Sequence, residues 1–385
     1  MTCVNHQVSE IALLPGGPYL SSVTNRDLMQ LPDVLVPTRA PDHGVRYPQV
    51  IGGAAVDDVP TRASRRAYGE MHERLALRRP DSGRLRLSSR DALDGDCIDA
   101  SDVLAVTPRG GHALALPSEA QQWVRGVRVG DGDPVWVSAE MVWPGLARPD
   151  GSTAWDWTTI GTGAGLSPQM AMDSAISELR ERDYLMRSWR GSTIALPLSQ
   201  KDVIESVPQS YVNLLKHQDL QSSGLLIPSM ERDFFVSAVL LSNRDGAQLS
   251  LGTGRSSSMK AAVSAALAEA IHSRTTTAKE LQRGVNFIAN GEYPESFTHR
   301  RRLLWNSHRD SLKSWLTGGA QSTIRRDALN LQSFTCVDIT TPEAEAEGYY
   351  IARAIGVGLE LMDERHLCRL PFAREYPNDK PHPFG

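Results

Sequence analysis

One helical pattern occurs three times in this chain, and it restricts the fold more than any other feature. With a central glutamate as position zero, each copy has glycine at −17, alanine at −7 and −3, and arginine at +4 or +5. Position +3 is a second glutamate in two copies and a histidine in the third. The residues at zero and +3 are Glu70 with Glu73, Glu178 with Glu181, and Glu269 with His272. Such repetition predicts three pseudo-repeated structural units.

The repeated positions share one face of an α-helix, because side chains three and four residues apart stack on each other. Each face would present two small alanines and then two polar groups. If the three faces converge, five carboxylates and one imidazole meet, and two like charges 4 Å apart repel by about 4 kcal/mol at an effective dielectric of about 20. Mg²⁺ would offset this repulsion, because it accepts a few carboxylates together with substrate phosphates. The glycine-rich entry to each helix leaves room for a phosphate at backbone N–H groups. The alternative is three solvated helix faces, which repetition in register disfavours.

Composition places the chain among ordinary soluble globular proteins, with 41% hydrophobic and 22% charged residues in 385. The net charge of −4 gives no bulk electrostatic argument for nucleic-acid binding. The longest apolar run, residues 234–241, is too short to cross a membrane and predicts a buried strand. The N-terminus has no signal-peptide pattern, and the four cysteines have no zinc-site or disulfide spacing, so we expect a cytoplasmic protein.

The elements predicted from patterning alternate between helix and strand, and several strands resemble hairpins, which favours an α+β fold. Residues 1–45 are rich in proline and turn formers, and we expect an irregular arm with at most one short helix. A basic amphipathic helix over 299–316 is either a solvated face or a docking surface for an acidic partner. The repeat helices are expected at 61–77, 168–189 and about 257–274, and strands within 104–117, 123–143, 233–250 and 333–359.

Common nucleotide and hydrolase motifs are absent from the sequence. It contains no G-x-x-x-x-G-K-[ST] phosphate loop, no complete G-x-G-x-x-G fingerprint, no G-x-S-x-G elbow and no H-E-x-x-H zinc motif. A nucleotide site, if there is one, must therefore be built differently.

An ordered set of motifs resembles the YcaO proteins, a family of ATP-dependent enzymes that modify peptide backbones. The segments are GGAAVDDVPTRASRRAYGEMHER, VWVSAEMVW, GTGAGLSPQMAMDSAISELRERD and GTGRSSSMKAAVSAALAEAIHSR, and the tail KPHPFG is similar to that of azoline-forming members. The resemblance covers about residues 46–385, which it implies are one catalytic domain with three helix/sheet units around a central ATP/Mg site. The chain departs from the family's pattern at Arg66, where a small residue is usual, at His272, commonly glutamine, and at Val357 and Gly385, commonly prolines.

The resemblance also implies roles for particular residues. Arg182 is expected to contact a phosphate or to orient a glutamate, and His272 is expected at the nucleotide. The tail is expected near the reacting site, with Pro381, His382, Pro383 and the Gly385 carboxylate positioning groups or transferring a proton. The residues expected to hold Mg²⁺ and ATP are Glu70, Glu73, Glu178, Glu181 and Glu269.

The implied activity is that of an ATP-dependent cyclodehydratase acting on a ribosomal precursor peptide, in peptide-antibiotic (RiPP) biosynthesis. A Cys, Ser or Thr side chain attacks the preceding amide, whose oxygen is phosphorylated and leaves as phosphate, so that a thiazoline or oxazoline forms. With no evident leader-binding domain in the chain, we expect a separate E1-like partner. The resemblance implies a flavin dehydrogenase as a further partner, which would oxidise the rings to thiazole or oxazole. It is also compatible with a homodimer of this chain. The alternatives are a YcaO enzyme forming a thioamide or amidine, a non-catalytic scaffold subunit, and a carboxylate-metal hydrolase of unrelated fold.

Overall fold

The computed structural model contains sixteen strands among the residues it describes, and most of them pair antiparallel. The described residues are 7–31, 51–103, 106–107, 118–146, 148–149, 158–189, 191, 193–228, 234–282, 305–307, 309–316, 334–359 and 368–369. The strands are β1 (Gln7–Leu13), β2 (Tyr19–Asn25), β3 (Ile51–Asp57), β4 (Arg86–Ser89), β5 (Cys97–Ile98), β6 (Val106–Thr107), β7 (Ala120–Arg128), β8 (Pro134–Ser138), β9 (Thr162–Gly165), β10 (Leu196–Leu198), β11 (Leu220–Pro228), β12 (Phe235–Asn243), β13 (Ser250–Ser256), β14 (Phe334–Asp338), β15 (Tyr350–Gly356) and β16 (Cys368–Arg369).

Three long helices follow β3, β9 and β13, and they are the repeat helices expected from the sequence. The helices in chain order are α1 (Pro60–Ala76), α2 (Ala100–Val103), α3 (Ala139–Val142), α4 (Pro168–Trp189), α5 (Gln200–Ser206), α6 (Gln209–His217) and α7 (Met259–Gln282). Short helical turns span Lys313–Leu316 and Pro342–Ala346, and 3₁₀ turns span Asp27–Gln30, Ser82–Arg84, Arg90–Ala92 and Arg309–Leu312. The α+β prediction is confirmed. Among the described residues, no helix combines the length and apolarity that a membrane crossing requires.

The first sheet has the order β1-β2-β3, and α1 packs against β3. The prediction of an irregular arm is wrong for residues 7–25, which form the hairpin of β1 and β2. The proline- and glycine-rich residues at 14–18 are the hairpin turn, closed by the N–H of Leu14 donating to the carbonyl of Pro18 at 2.9 Å. Because β2 pairs along its whole length with β3, this segment belongs to the first sheet.

The second sheet has the order β5-β8-β7-β14-β15-β9, with β4 also pairing β7, and α4 packs on β9 and β15. The strand predicted over 123–143 is correct for β7 and β8 but wrong at its end, where residues 139–142 form α3. All four residues of α3 are buried, and its apolar members pack in the core with Val124 and Val137, so their hydrophobicity reflects burial and not strand alternation.

The third sheet, β10-β11-β12-β13, is antiparallel and covered on both faces. On β12, Val236, Ala238 and Leu240 pack with Leu185 near the end of α4. The alternate residues Val239 and Leu241 pack instead in the cluster that contains α7. The apolar run 234–241 is thus a strand buried on both faces, as the sequence predicted.

The remaining predicted elements are confirmed only where the structure describes them. The helix α7 continues eight residues beyond the predicted end at 274, and the hairpin of β14 and β15 lies within 333–359. Within 104–117 the structure describes only residues 106–107, which form β6, and this strand pairs with β16. Of the basic helix predicted over 299–316, the structure describes residues 305–307 and 309–316. There a 3₁₀ turn, Arg309–Leu312, is followed by the short helical turn Lys313–Leu316, and no single long helix spans these described residues.

Candidate functional site

The central glutamate of each repeat helix accepts a hydrogen bond from a backbone N–H at the strand that precedes the helix. This contact spans 16 or 17 residues in each copy, which is the spacing between the glutamate and the glycine-rich segment of the sequence pattern. The donors are Ala54 to Glu70 at 2.6 Å, Gly161 to Glu178 at 3.1 Å, and Thr253 to Glu269 at 2.8 Å. The sequence repeat therefore corresponds to a repeated contact.

The glutamates at position +3 connect neighbouring units. Glu73 on α1 accepts from the N–H of Ala164 on β9, at 2.7 Å. Glu181 on α4 accepts from the hydroxyl of Thr253 on β13, at 2.6 Å. The second glutamate of each of the first two repeats thus reaches the strand of the following unit. In the third repeat, His272 lies partly buried on α7.

Arginine side chains neutralise Glu181, which is 2% exposed. Arg255 on β13 donates to its Oε2 at 2.7 Å and also to the carbonyl of Ser174 at 3.0 Å. Arg182 lies 3.7 Å from Glu181 Oε1 and 3.8 Å from Glu178 Oε1. Burial opposes ionisation of Glu181, but Arg182 and Arg255 outweigh it and hold the pKa of this carboxyl below its ordinary value.

The other carboxylates are less well compensated. Burial raises the pKa of Glu178 despite the two nearby arginines, and burial also raises the pKa of Glu269 despite Arg182. Burial, together with the charges of Glu178 and Glu70, raises the pKa of Glu73 to about 8. Ionising all of these carboxyls would therefore place more negative charge in the site than its own arginines offset, and a bound cation would relieve that imbalance.

The raised pKa of Glu73 leads to a prediction about stability. Folding raises it from 4.5 to about 8, so the folded chain binds this proton more tightly than the unfolded chain. That stabilisation is complete below the unfolded pKa and is lost as the pH rises through the folded value. We expect Glu73→Gln, which stays neutral, to melt at a progressively higher temperature than the parent between about pH 5 and about pH 9.

The measurement is thermal unfolding of both proteins, without Mg²⁺ or nucleotide, across that pH range. Glu205→Gln is the matched control, because Glu205 is exposed on α5 and pairs only loosely with Lys201 at 3.7 Å. A constant difference in melting temperature between Glu73→Gln and the parent at all pH values would contradict a raised pKa.

Arg353 is a buried cation that the sequence reasoning did not identify. It is 1% exposed on β15 and donates to the carbonyl of Met141 at 3.1 Å, the carbonyl of Ile160 at 2.5 Å and the hydroxyl of Thr162 at 2.9 Å. Its contacts with residues 160 and 162 hold the backbone on both sides of Gly161, whose N–H donates to Glu178. Burial lowers the pKa of Arg353 to about 10, while Glu178 opposes that shift. The signal in the sequence was a single arginine within an apolar strand.

Thr253 and Arg255 were missed as well. They alternate with the glycines of the segment GTGR, and alternation along a strand places them on one face. That face is directed to α4, since both side chains contact Glu181. In the sequence pattern the glycines of this segment mark the repeat and leave room for a phosphate, but they do not show which face the residues between them occupy.

The donor set fits Mg²⁺ and a triphosphate. Carboxylate oxygens are hard ligands of the kind that Mg²⁺ prefers, and this ion is commonly held by one or two carboxylates with water and phosphates. Within the part of the chain that the structure describes, no three His, Cys, Asp or Glu side chains lie so that they could hold a metal ion together. An arrangement with few protein ligands is therefore the one compatible with this site.

The structure brings together most, but not all, of the residues predicted for the site. Contacts or mutual charge effects connect Glu70, Glu73, Glu178, Glu181, Arg182 and Glu269. The predicted tail residues His382, Pro383 and Gly385, together with Pro381, lie outside the described residues, so their roles stay predictions.

Comparison with known proteins finds a matching family model and similar solved structures. The sequence model of the YcaO family, described as cyclodehydratases that bind ATP and Mg²⁺, matches residues 58–352. No curated protein matches the chain.

Solved structures show the same fold at low sequence identity. A YcaO protein from Methanopyrus kandleri, bound with AMPPCP and Mg²⁺, gives a TM-score of 0.59 at 16% identity, over 98% of this chain and 90% of that one. A chain of the E. coli microcin synthetase McbBCD complex gives 0.62 at 11% identity, over 92% and 89%. A heterocyclase in complex with substrate and cofactor gives 0.67 at 12% identity, over 93% of this chain but only 50% of that one. This chain thus spans about half the length of the heterocyclase that it matches.

Proposed function

Because the chain belongs to the YcaO family, we propose that it is an ATP-dependent cyclodehydratase that converts Cys, Ser or Thr residues of a precursor peptide into thiazoline or oxazoline rings. The observation that carries the proposal is the set of linked carboxyl groups from three helices, which adjoins glycine-rich strands and whose full ionisation its own arginines do not offset. The family binds ATP and Mg²⁺, and this site has the oxygen donors that both require.

The residues of this chain would bind Mg²⁺ and ATP and orient the phosphates. One or two carboxylates from among Glu70, Glu73, Glu178 and Glu269 would hold Mg²⁺ and so the phosphates, while Glu181, paired with Arg182 and Arg255, would keep those arginines in place. When bound, Mg·ATP supplies the phosphoryl group that makes a peptide amide oxygen a good leaving group, and Mg²⁺ offsets the charge that develops during transfer. The tail residues His382, Pro383 and Gly385 are proposed to position the peptide or to move a proton.

A separate partner is proposed to supply recognition of the peptide. The E. coli neighbour was solved as a complex, and in one structure of it pro-MccB17 is bound. The longer heterocyclase has about as much chain again outside the part that matches this protein. We propose that a protein of the E1-like type binds the leader of the precursor peptide for this chain, and that a flavin dehydrogenase oxidises the rings.

The test is Mg²⁺-dependent binding and hydrolysis of ATP by the full chain, alone and with an E1-like partner. Calorimetry with and without Mg²⁺ measures binding, and mass spectrometry of a peptide rich in Cys, Ser and Thr measures modification. Loss of one water per modified residue, with phosphate release, supports azoline formation, whereas exchange of oxygen for sulfur would identify a thioamide-forming enzyme. No nucleotide binding, even with the partner, would overturn the enzyme and leave a scaffold subunit.

A further inference from the structure

We propose that Thr253 is a positioning residue of the nucleotide site, whose hydroxyl fixes Glu181, Glu269 and Arg182 relative to one another before Mg·ATP binds. The inference rests on the proposed function, because it takes the glutamates around Thr253 to be the nucleotide and metal site. It gives a role to a residue that lies outside the repeated glutamate pattern and that has no acidic or basic group of its own.

Thr253 is buried at the junction of the second and third units, with 6% of its surface exposed. Its hydroxyl oxygen lies 2.6 Å from Glu181 Oε1 and 3.0 Å from Glu269 Oε2. It also accepts a hydrogen bond from Arg182 Nη1 at 3.0 Å. A single hydroxyl therefore contacts two carboxylates on different helices and the arginine between them.

The chemistry of a hydroxyl suits this place. A hydroxyl offers one proton and two lone pairs at one atom, so it can donate to a carboxylate and accept from a guanidinium at the same time. The hydroxyl lies within hydrogen-bond distance of both carboxylates, and its shorter contact is to Glu181. Without it, the contacts left among the described residues would be those of arginines for Glu181 and of the backbone N–H of residue 253 for Glu269.

The backbone of β13 explains why this side chain reaches the site. A Cβ atom at Gly252 would lie 2.1 Å from the Ala270 nitrogen, and one at Gly254 would lie 2.4 Å from the Ala266 nitrogen. Those two positions therefore lie directly against α7. Since neighbouring residues of a strand point to opposite faces, Thr253 and Arg255 are directed towards α4 and Glu181. The close approach to α7 leaves Thr253 near Glu269 as well.

The test compares Thr253→Val, which keeps the shape but removes the hydroxyl, with Thr253→Ser, which keeps the hydroxyl. Binding of Mg·ATP is measured by calorimetry, and the Mg²⁺ concentration for half-maximal binding is measured at fixed ATP. We expect Thr253→Val to weaken Mg·ATP binding about tenfold or more, as for loss of one hydrogen bond to a charged group, with a higher Mg²⁺ requirement. Thr253→Ser should stay within about threefold of the parent.

Thr277→Val is the matched control for loss of a buried hydroxyl. Thr277 is 1% exposed on α7, and its hydroxyl donates to the carbonyl of Ser273 in its own helix. This variant should bind Mg·ATP like the parent. A merely structural role for Thr253 would lower the melting temperature without raising the Mg²⁺ requirement of the folded protein. If Thr253→Val does not fold, Thr253→Ala is measured in its place.

The outcomes separate this inference from the proposed function. If the parent fails to bind Mg·ATP, the proposed function fails and the inference with it. If the parent and Thr277→Val bind but the valine variant at 253 binds equally well, only the role of Thr253 is overturned. Failure of Thr253→Ser to restore binding would also overturn it, because the hydroxyl would then not be the group that matters.

Discussion

Replacing Glu178 and Glu181 together by glutamine is expected to abolish Mg²⁺-dependent ATP binding. Glutamine keeps the size of the side chain and its carbonyl oxygen but removes the charge, which at Glu178 attracts Mg²⁺ and at Glu181 holds Arg182 and Arg255 in place. Since altering the groups that merely orient metal ligands costs roughly 10- to 100-fold in affinity, losing two carboxylates should cost at least about a hundredfold. Calorimetry with Mg·ATP measures the effect directly.

The single variants should differ in stability, because the two glutamates have opposite pKa shifts. The pKa of Glu178 is raised by burial, so its charge is unfavourable without a cation, and Glu178→Gln should leave the melting temperature unchanged or higher. The pKa of Glu181 is lowered, since Arg182 and Arg255 outweigh its burial. Glu181→Gln removes the carboxylate that Arg182 and Arg255 share and should destabilise the chain by roughly 3–5 kcal/mol.

Two outcomes would contradict this prediction. Binding of Mg·ATP by the double variant with the affinity of the parent would place the nucleotide away from the repeated glutamates. Equal losses of stability in the two single variants would show that Arg182 and Arg255 do not distinguish Glu181 from Glu178. Glu205→Gln, at an exposed position on α5, should match the parent in both measurements.

The local part of this site could be predicted from the sequence. The helix α4 occupies its predicted range, and the glutamates at position zero share one contact because the glycine and alanine spacing repeats. Periodicity indicates which residues share one face of a helix or strand, and it predicted α4 and its glutamates correctly. The content of proline and turn formers misled the prediction for residues 7–25, where these residues form a hairpin turn and not an irregular arm.

The contacts between units could not be predicted in the same way. Thr253 meets Glu181 across 72 residues of sequence, and Arg353 meets Met141 across 212. Such pairs depend on how whole sheets and helices pack, which a single sequence does not show. An isolated arginine in an apolar strand, or a threonine between glycines, marks a candidate but not its partner.

Gly252→Ala is expected to have the largest effect on folding of the variants considered. A Cβ atom there would lie 2.1 Å from the backbone nitrogen of Ala270 and 2.2 Å from the carbonyl oxygen of Ala266. Both are backbone atoms of α7, so no side chain can move aside and the helix itself must shift away from β13. That shift would open the packing of the third unit and separate Thr253 from Glu269.

Overpacking of a well-packed core costs about 1–3 kcal/mol, and a clash with helix backbone belongs at or above the upper end. We therefore expect Gly252→Ala to lose at least about 3 kcal/mol of unfolding free energy, measured by urea denaturation, or to be recovered only as insoluble protein. Gly83→Ala is the matched control, because a Cβ there meets only the side chain of Asp81, at 3.3 Å. If Gly252→Ala unfolded at the same urea concentration as Gly83→Ala, the close contact between β13 and α7 would be wrong. The placement of Glu269 against the N–H of Thr253 would then be wrong as well, since both depend on how near the strand lies to the helix.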